Sequence, residues 1–236
     1  MPHKRIKSIM FDLFETLACF WPPREDIQKQ ATQPFGIKLT SSGIIQGYRK
    51  ADAFMAFENA NGLPIQWRDV DETRKFFVKY EQLILQGDGF DVDFGTAEQI
   101  WENVRNIPHS LSLFEDTVPA LLELHSLGFI LGVISNYNMN GDDLLRQLGL
   151  NKILKFAVTS HDTGFQKPHA PIFEAGLKEA GVAAEEAVYV GDQYHSDIVG
   201  AWNANIYALL IDRYVESREV EGVNVITSLL DVKKFV

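Results

Sequence analysis

Five stretches of this chain are largely apolar, and most of them stop at a polar or acidic residue. Residues 6–11 end in Asp12, 129–134 in Ser135-Asn136, 187–190 in Gly191-Asp192 and 206–211 in Asp212-Arg213; residues 154–158 form a weaker run. A strand with one wet face alternates apolar and polar side chains. A strand apolar along its length is buried on both faces, as in a parallel sheet clothed by helices. Helical spacing fills the intervals at 117–127, 141–148, 170–180 and 196–204. The pattern predicts an α/β fold with a doubly wound, Rossmann-like parallel sheet.

Residues 18–109 read differently, with no convincing buried-strand run. Residues 40–61 carry Ile44, Ile45, Tyr48, Phe54, Met55 and Phe57 at helical spacing, and 69–86 repeat it with Phe76, Phe77, Tyr80, Leu83 and Ile84. Asp69 and Glu72 suit a capping-box start. Gly62-Leu63-Pro64 and Gly87-Asp88-Gly89 punctuate, and 96–104 makes a shorter helix. About four helices are expected, with Phe54, Phe57, Phe76, Phe77 and Tyr80 in their core. The chain then divides into an α/β core of residues 1–17 and 110–236 and an inserted helical cap of residues 18–109.

Charge narrows the partners. Lys+Arg number 22 against Asp+Glu 32, a net charge of −10, which disfavours nucleic acid and anionic membranes. Cys19 is the only cysteine, so no intrachain disulfide or cysteine-based zinc site is expected. The six histidines lack the paired spacing of a metal site. Met1-Pro2-His3-Lys4-Arg5 is basic but precedes only a strand-length apolar run. That is not a signal peptide, and no run approaches the ~18 residues of a membrane span. A cytoplasmic protein is expected, as a monomer or homodimer acting on a small molecule.

Ligands of open parallel sheets bind beyond the carboxyl ends of the strands. Asp12 and Thr16 follow the first strand, Ser135 and Asn136 a second, and Asp192 and Asp197 a third, with Lys167 in the loop 164–168. Singly, these are ordinary turn, cap or surface residues. Together they would place three carboxylates, a lysine, hydroxyls and an amide on one rim. Three carboxylates at short range raise one another's pKa. A divalent cation resolves the conflict, and Mg²⁺ takes oxygen ligands. Lysine and Mg²⁺ would in turn balance a phosphoryl group.

Residues 11–17 (Phe-Asp-Leu-Phe-Glu-Thr-Leu), Ser135-Asn136, Lys167-Pro168 and residues 191–197 (Gly-Asp-Gln-Tyr-His-Ser-Asp) resemble the four motifs of the haloacid dehalogenase-like hydrolase superfamily. The helical insert is similar to that family's cap of the first type. The resemblance implies a nucleophilic Asp12 that forms an aspartyl-phosphate in a phosphatase, which water then cleaves. Thr16, Ser135 and Asn136 would orient phosphoryl oxygens, and Lys167 would neutralise developing charge. Asp192 and Asp197 would bind Mg²⁺ with Asp12 and the backbone carbonyl of Phe14.

One position departs from the family pattern. Phosphatases of the family carry a second aspartate two residues after the nucleophile, as general acid and base, and here that residue is Phe14. Glu15 is adjacent, but the alternation of an extended backbone turns it away. Three readings follow. A Mg²⁺-dependent phosphatase without the acid would favour aryl or acyl phosphates. A 2-haloacid dehalogenase suits Phe14, Ser135 and Asn136, with Arg49 as a carboxylate holder, but not Asp192 and Asp197. A binding protein without turnover is the third.

Overall fold

The computed structural model describes residues 6–62, 65–214 and 222–236. Met1 to Arg5, and Leu63 and Pro64 of the proposed helix punctuation, lie outside the described residues. The chain runs β1 (Ser8–Phe11), β2 (Ala18–Trp21), α1 (Arg24–Thr32), α2 (Ser41–Asn61), α3 (Val70–Gln86), α4 (Phe94–Asn106) and β3 (Ser110–Leu113). It continues through α5 (Thr117–Ser126), β4 (Ile130–Ser135), α6 (Gly141–Gln147), β5 (Phe156–Thr159), α7 (Ser160–Thr163) and α8 (Ala170–Ala180). Last come β6 (Ala187–Gly191), a π-helix (Tyr194–Val199), α9 (Gly200–Asn203), β7 (Tyr207–Ile211) and β8 (Asn224–Ile226). The chain divides into two compact units, residues 1–19 with 112–236 and residues 20–111.

In the first unit six strands form a sheet in the order β5-β4-β1-β6-β7-β8, with every pair parallel. This is the fold class read from the apolar runs. Each strand of the sequence reading appears, shifted by one or two residues at an end. All four β1 residues and all five of β6 are buried, which is why these runs are apolar on both faces. Met10, Ile134, Ile172, Phe173, Tyr189 and Ile198 belong to the core on one side of the sheet. The edge strand β8 and a two-stranded ribbon of β2 and β3 have no counterpart in the sequence reading. Both consist of strands of three or four residues, too short for a periodicity signal.

The second unit is built of α1 to α4. Asp69 accepts from the Glu72 N–H while Glu72 reaches back to the Asp69 N–H, which is the capping box anticipated there. The aromatic side chains Phe54 and Phe76 stack at 5.1 Å between centroids, and Phe77 stacks on Trp101 at 5.4 Å. Phe57 is a correction: it is 63% exposed and lies outside the core. The buried stripe of α2 contains Ile44, Gly47 and Ala51 instead. A Cβ at Gly47 would collide with the backbone carbonyl of Ile84, so small residues bring α2 and α3 into backbone contact. Counting large apolar side chains misses such a stripe.

Among the described residues no helix is long and apolar enough to cross a membrane.

Candidate active site

Strand order assembles the site. With β4, β1 and β6 adjacent and parallel, their carboxyl ends open onto one rim. Asp12 leaves β1 with its N–H still bonded to Val190 O at 2.8 Å, so the first and fourth motifs stay in register. Ser135 ends β4 and is buried. Lys167 arrives from the loop between α7 and α8, and Asn136 anchors its backbone in both directions. Asn136 Oδ1 accepts from Lys167 N–H at 2.7 Å, and Asn136 Nδ2 donates to Lys167 O at 3.1 Å. The amide predicted to orient substrate thus holds the backbone of Lys167.

The lysine points inward. Its Nζ donates to Asp12 Oδ1 at 2.6 Å, to Asp197 Oδ1 at 2.6 Å and to the Tyr189 hydroxyl at 3.1 Å. Asp12, Lys167 and Asp197 are all buried. Asp197 sits on the π-helix, where its Oδ2 also accepts from the Gln193 N–H at 2.9 Å. Gly191 permits this approach, because a Cβ there would strike the Asp197 carboxyl carbon.

Burial pushes the Asp12 carboxyl up to about 6; the Lys167 charge opposes the rise and Asp197 adds to it. The nucleophile candidate therefore remains a carboxylate at neutral pH. Burial also works against the Lys167 charge, but Asp12 and Asp197 outweigh it and hold the ammonium above its ordinary range. Burial, followed by the charges of Asp197 and Asp12, lifts the Tyr189 hydroxyl well above the usual phenol value, so it stays neutral.

Asp12, Asp192 and Asp197 each offer a carboxylate oxygen, all within 4.8 Å of one another. Two negative oxygens in excess of one lysine, on hard donor atoms, suit an oxygen-seeking divalent cation such as Mg²⁺. Asp192 is half-buried, whereas Asp197 is fully enclosed and already engaged by Lys167, Tyr189 and Gln193. Thr16 is also fully enclosed, and its Oγ1 has no hydrogen-bond partner among the described residues. A buried hydroxyl in that state costs free energy until an acceptor or donor arrives.

The turn after Asp12 departs from the extended backbone assumed for it. Glu15 has φ 58°, in the left-handed region, and its N–H bonds to Ala18 O at 2.7 Å. Its carboxylate accepts from the Tyr214 hydroxyl at 2.7 Å. Glu15 is therefore occupied by a structural bond, and the reason is the turn rather than strand alternation. Phe14 bridges to Ala18 in the same turn. His195 is exposed on the π-helix, with its ring edge-on to Tyr194. Arg49 lies on α2, in the other unit.

Sequence reasoning missed Tyr189. It stands inside an apolar run and reads as core, but a tyrosine in a strand buried on both faces needs a partner for its hydroxyl. That requirement was the available signal.

A parallel sheet whose rim gathers a buried Asp–Lys–Asp cluster and a third carboxylate defines a class of hydrolase. The haloacid dehalogenase-like hydrolase family model matches residues 9–211, and the chain belongs to that family. It is 38% identical over 120 residues to a glyceraldehyde 3-phosphate phosphatase of Methanothermobacter thermautotrophicus. That match covers 50% of this chain and 52% of the relative, so the chain spans about half of that protein's length. Haloacid dehalogenase-like hydrolase domain-containing protein 3 of Homo sapiens is 24% identical over 221 residues, covering 89% of this chain and 84% of that one. Among solved structures, the HAD-hydrolase YfnB of Bacillus subtilis, described as bound to magnesium, superposes with a TM-score of 0.65. The two are 19% identical, with 98% of this chain and 99% of that chain covered, so the likeness is one of fold.

Proposed function

We propose that this hydrolase is a phosphatase for a small phosphorylated molecule, working through an aspartyl-phosphate on Asp12. One observation carries the reading: the buried Lys167 ammonium lies 2.6 Å from Asp12 while a third carboxylate, Asp192, stands within reach of the same point. A dehalogenase, which releases an unprotonated halide, has no use for that extra acid. Phe14 taken alone favours the dehalogenase, and the acid cluster outweighs it. The phosphatase names among the relatives point the same way.

In this reading an Asp12 carboxylate oxygen attacks phosphorus and the bond to the leaving oxygen breaks. Water then cleaves the aspartyl-phosphate at phosphorus, returning Asp12 and releasing phosphate. Lys167 balances charge on the transferred group, and Asn136 fixes the lysine backbone. Thr16 Oγ1 and Ser135 donate to phosphoryl oxygens. Mg²⁺, held by Asp12, Asp192 and the carbonyl of Phe14 with the charge of Asp197 beside it, would supply further neutralisation of the phosphoryl oxygens. The helical unit is proposed as a cap that selects substrate and excludes water.

Phe14 shapes the substrate range. No carboxylic acid at that position can protonate a leaving alkoxide, a service worth ~10²–10⁴-fold. Aryl and acyl phosphates need no such proton. Glyceraldehyde 3-phosphate, in the name of several relatives, is an alkyl ester and makes an informative contrast. The test is hydrolysis of p-nitrophenyl phosphate with Mg²⁺ and with EDTA, beside alkyl phosphates and 2-chloropropionate. Chelator-sensitive turnover that favours the aryl ester supports the reading. Chloride release indifferent to EDTA would replace it with the dehalogenase, and equal rates on alkyl esters would remove the role given to Phe14.

A further inference from the structure

The interior of β6 contains a hydroxyl that the fold does not require. Tyr189 is completely buried, with its ring edge-on to Phe173 at 5.1 Å between centroids. Phenylalanine would fill that space without a polar atom to satisfy. The Tyr189 hydroxyl instead sits 3.1 Å from Lys167 Nζ, 3.0 Å from Asp197 Oδ1 and 3.2 Å from Ile134 O. An ammonium has three N–H donors and no acceptor. Here the three are directed at Asp12, Asp197 and Tyr189. A neutral hydroxyl can accept one of them while giving its own proton to Asp197 or to the Ile134 carbonyl.

We propose that Tyr189 is a positioning residue, whose hydroxyl holds the Lys167 ammonium in place when Asp12 turns to its substrate. The inference rests on the phosphatase reading above. Once one Asp12 oxygen is bonded to phosphorus the carboxylate loses its negative charge, so its bond to Lys167 weakens and the ammonium turns its charge toward the phosphoryl group. Asp197 and Tyr189 are then the two anchors that keep the cation from swinging. With Asp197 alone, one hydrogen bond defines a direction for the amine but does not fix it. Tyr189 is fully enclosed, so it acts through Lys167 and touches no substrate.

The test is Tyr189→Phe, which keeps the ring and its contact with Phe173. Turnover of p-nitrophenyl phosphate is expected to fall roughly tenfold in kcat, the scale of one hydrogen bond to a charged group. KM, Mg²⁺ affinity by calorimetry and the melting temperature should change little, because the effect concerns charge that develops during the reaction. The second readout is the slowly exchanging ¹⁵N–¹H signal of the Lys167 ammonium in labelled protein, expected to weaken or shift in the variant. Phe173→Leu is the packing control: it should lower the melting temperature and leave both kcat and the ammonium signal in place. An unchanged ammonium signal in Tyr189→Phe overturns the inference, as does an unchanged kcat in an active enzyme. If Tyr189→Phe does not fold, the unaltered protein still decides: a protected Tyr189 hydroxyl proton with a cross-peak to the Lys167 ammonium supports the anchor, and its absence refutes it. A wild-type protein that is inactive on phosphate esters, yet loses the ammonium signal in Tyr189→Phe, would uphold the positioning role and sink the phosphatase reading alone.

Discussion

The α/β unit and the helical unit both bury carboxylates, but they neutralise them differently. At the sheet rim, Asp12 and Asp197 flank a lysine that keeps its charge. Among the helices, Glu81 is 2% exposed and its hydrogen-bond partner is the Gln28 amide, with Tyr48 donating to the same glutamine at 3.3 Å. Burial therefore pushes Glu81 up to about 8, with only the amide opposing. A second helical carboxylate, Asp52, accepts from Tyr80 and lies 3.7 Å from Arg24, yet burial still raises it. Asp12, with a charged lysine against it, is raised less by burial than Glu81, whose one opposing partner is an amide. That difference in partner, more than burial, separates Asp12 from Glu81.

Substitutions can break this contrast, beginning with the largest effect. Lys167→Met leaves Asp12 and Asp197 facing each other without a cation. It should reduce p-nitrophenyl phosphate turnover on the order of 10³-fold and destabilise the fold by roughly 3–5 kcal/mol. Steady-state kinetics and urea unfolding of the same sample would show both. Next, Phe14→Asp places an acid two residues from Asp12, the proposed nucleophile. Alkyl phosphate hydrolysis should rise about 10²-fold, with a smaller gain for the aryl ester; equal gains on both would show that protonation of the leaving group was never limiting. Gly191→Ala pushes a methyl group against the Asp197 carboxyl and should lower kcat about tenfold, which a comparison of kcat and KM would reveal.

The helical side gives the pH prediction. The Glu81 carboxyl has an ordinary value of 4.5 and stands at about 8 when folded. Between these limits the unfolded chain has lost a proton that the folded chain keeps. Its contribution to stability is complete below the lower value and drains away as pH rises through the upper one. The slope is about 1.4 kcal/mol per pH unit. Glu81→Gln removes the slope, so urea unfolding should find the variant no better than wild type near pH 5 and more stable by a few kcal/mol near pH 8. A gap that does not widen with pH would mean that Glu81 is ionised in the fold.

The same contrast explains what could be read in the sequence. Runs such as 129–134 and 187–190 are apolar because both sheet faces are covered, so strands and their terminal Asp12, Ser135 and Asp192 were legible. Spacing along the chain also placed Asp197 and Lys167 on the rim. Three features were hidden because they depend on partners far away in sequence. The role of Tyr189 requires Lys167 and Ile134, the partner of the Glu15 carboxylate is Tyr214, and the close approach of α2 to α3 runs through Gly47 and Ile84. Phe57 misled for the same reason, since helical spacing says which residues share a face but not which face is covered.

The central claim is that Asp12 forms a covalent phosphoryl intermediate. The most direct measurement is mass spectrometry of protein acid-quenched within the first turnover of p-nitrophenyl phosphate in the presence of Mg²⁺. The account expects a mass gain of one phosphoryl group on the peptide that carries Asp12, absent after EDTA and absent in Asp12→Asn. Full turnover with no such adduct on that peptide, or turnover that survives Asp12→Asn, would contradict it.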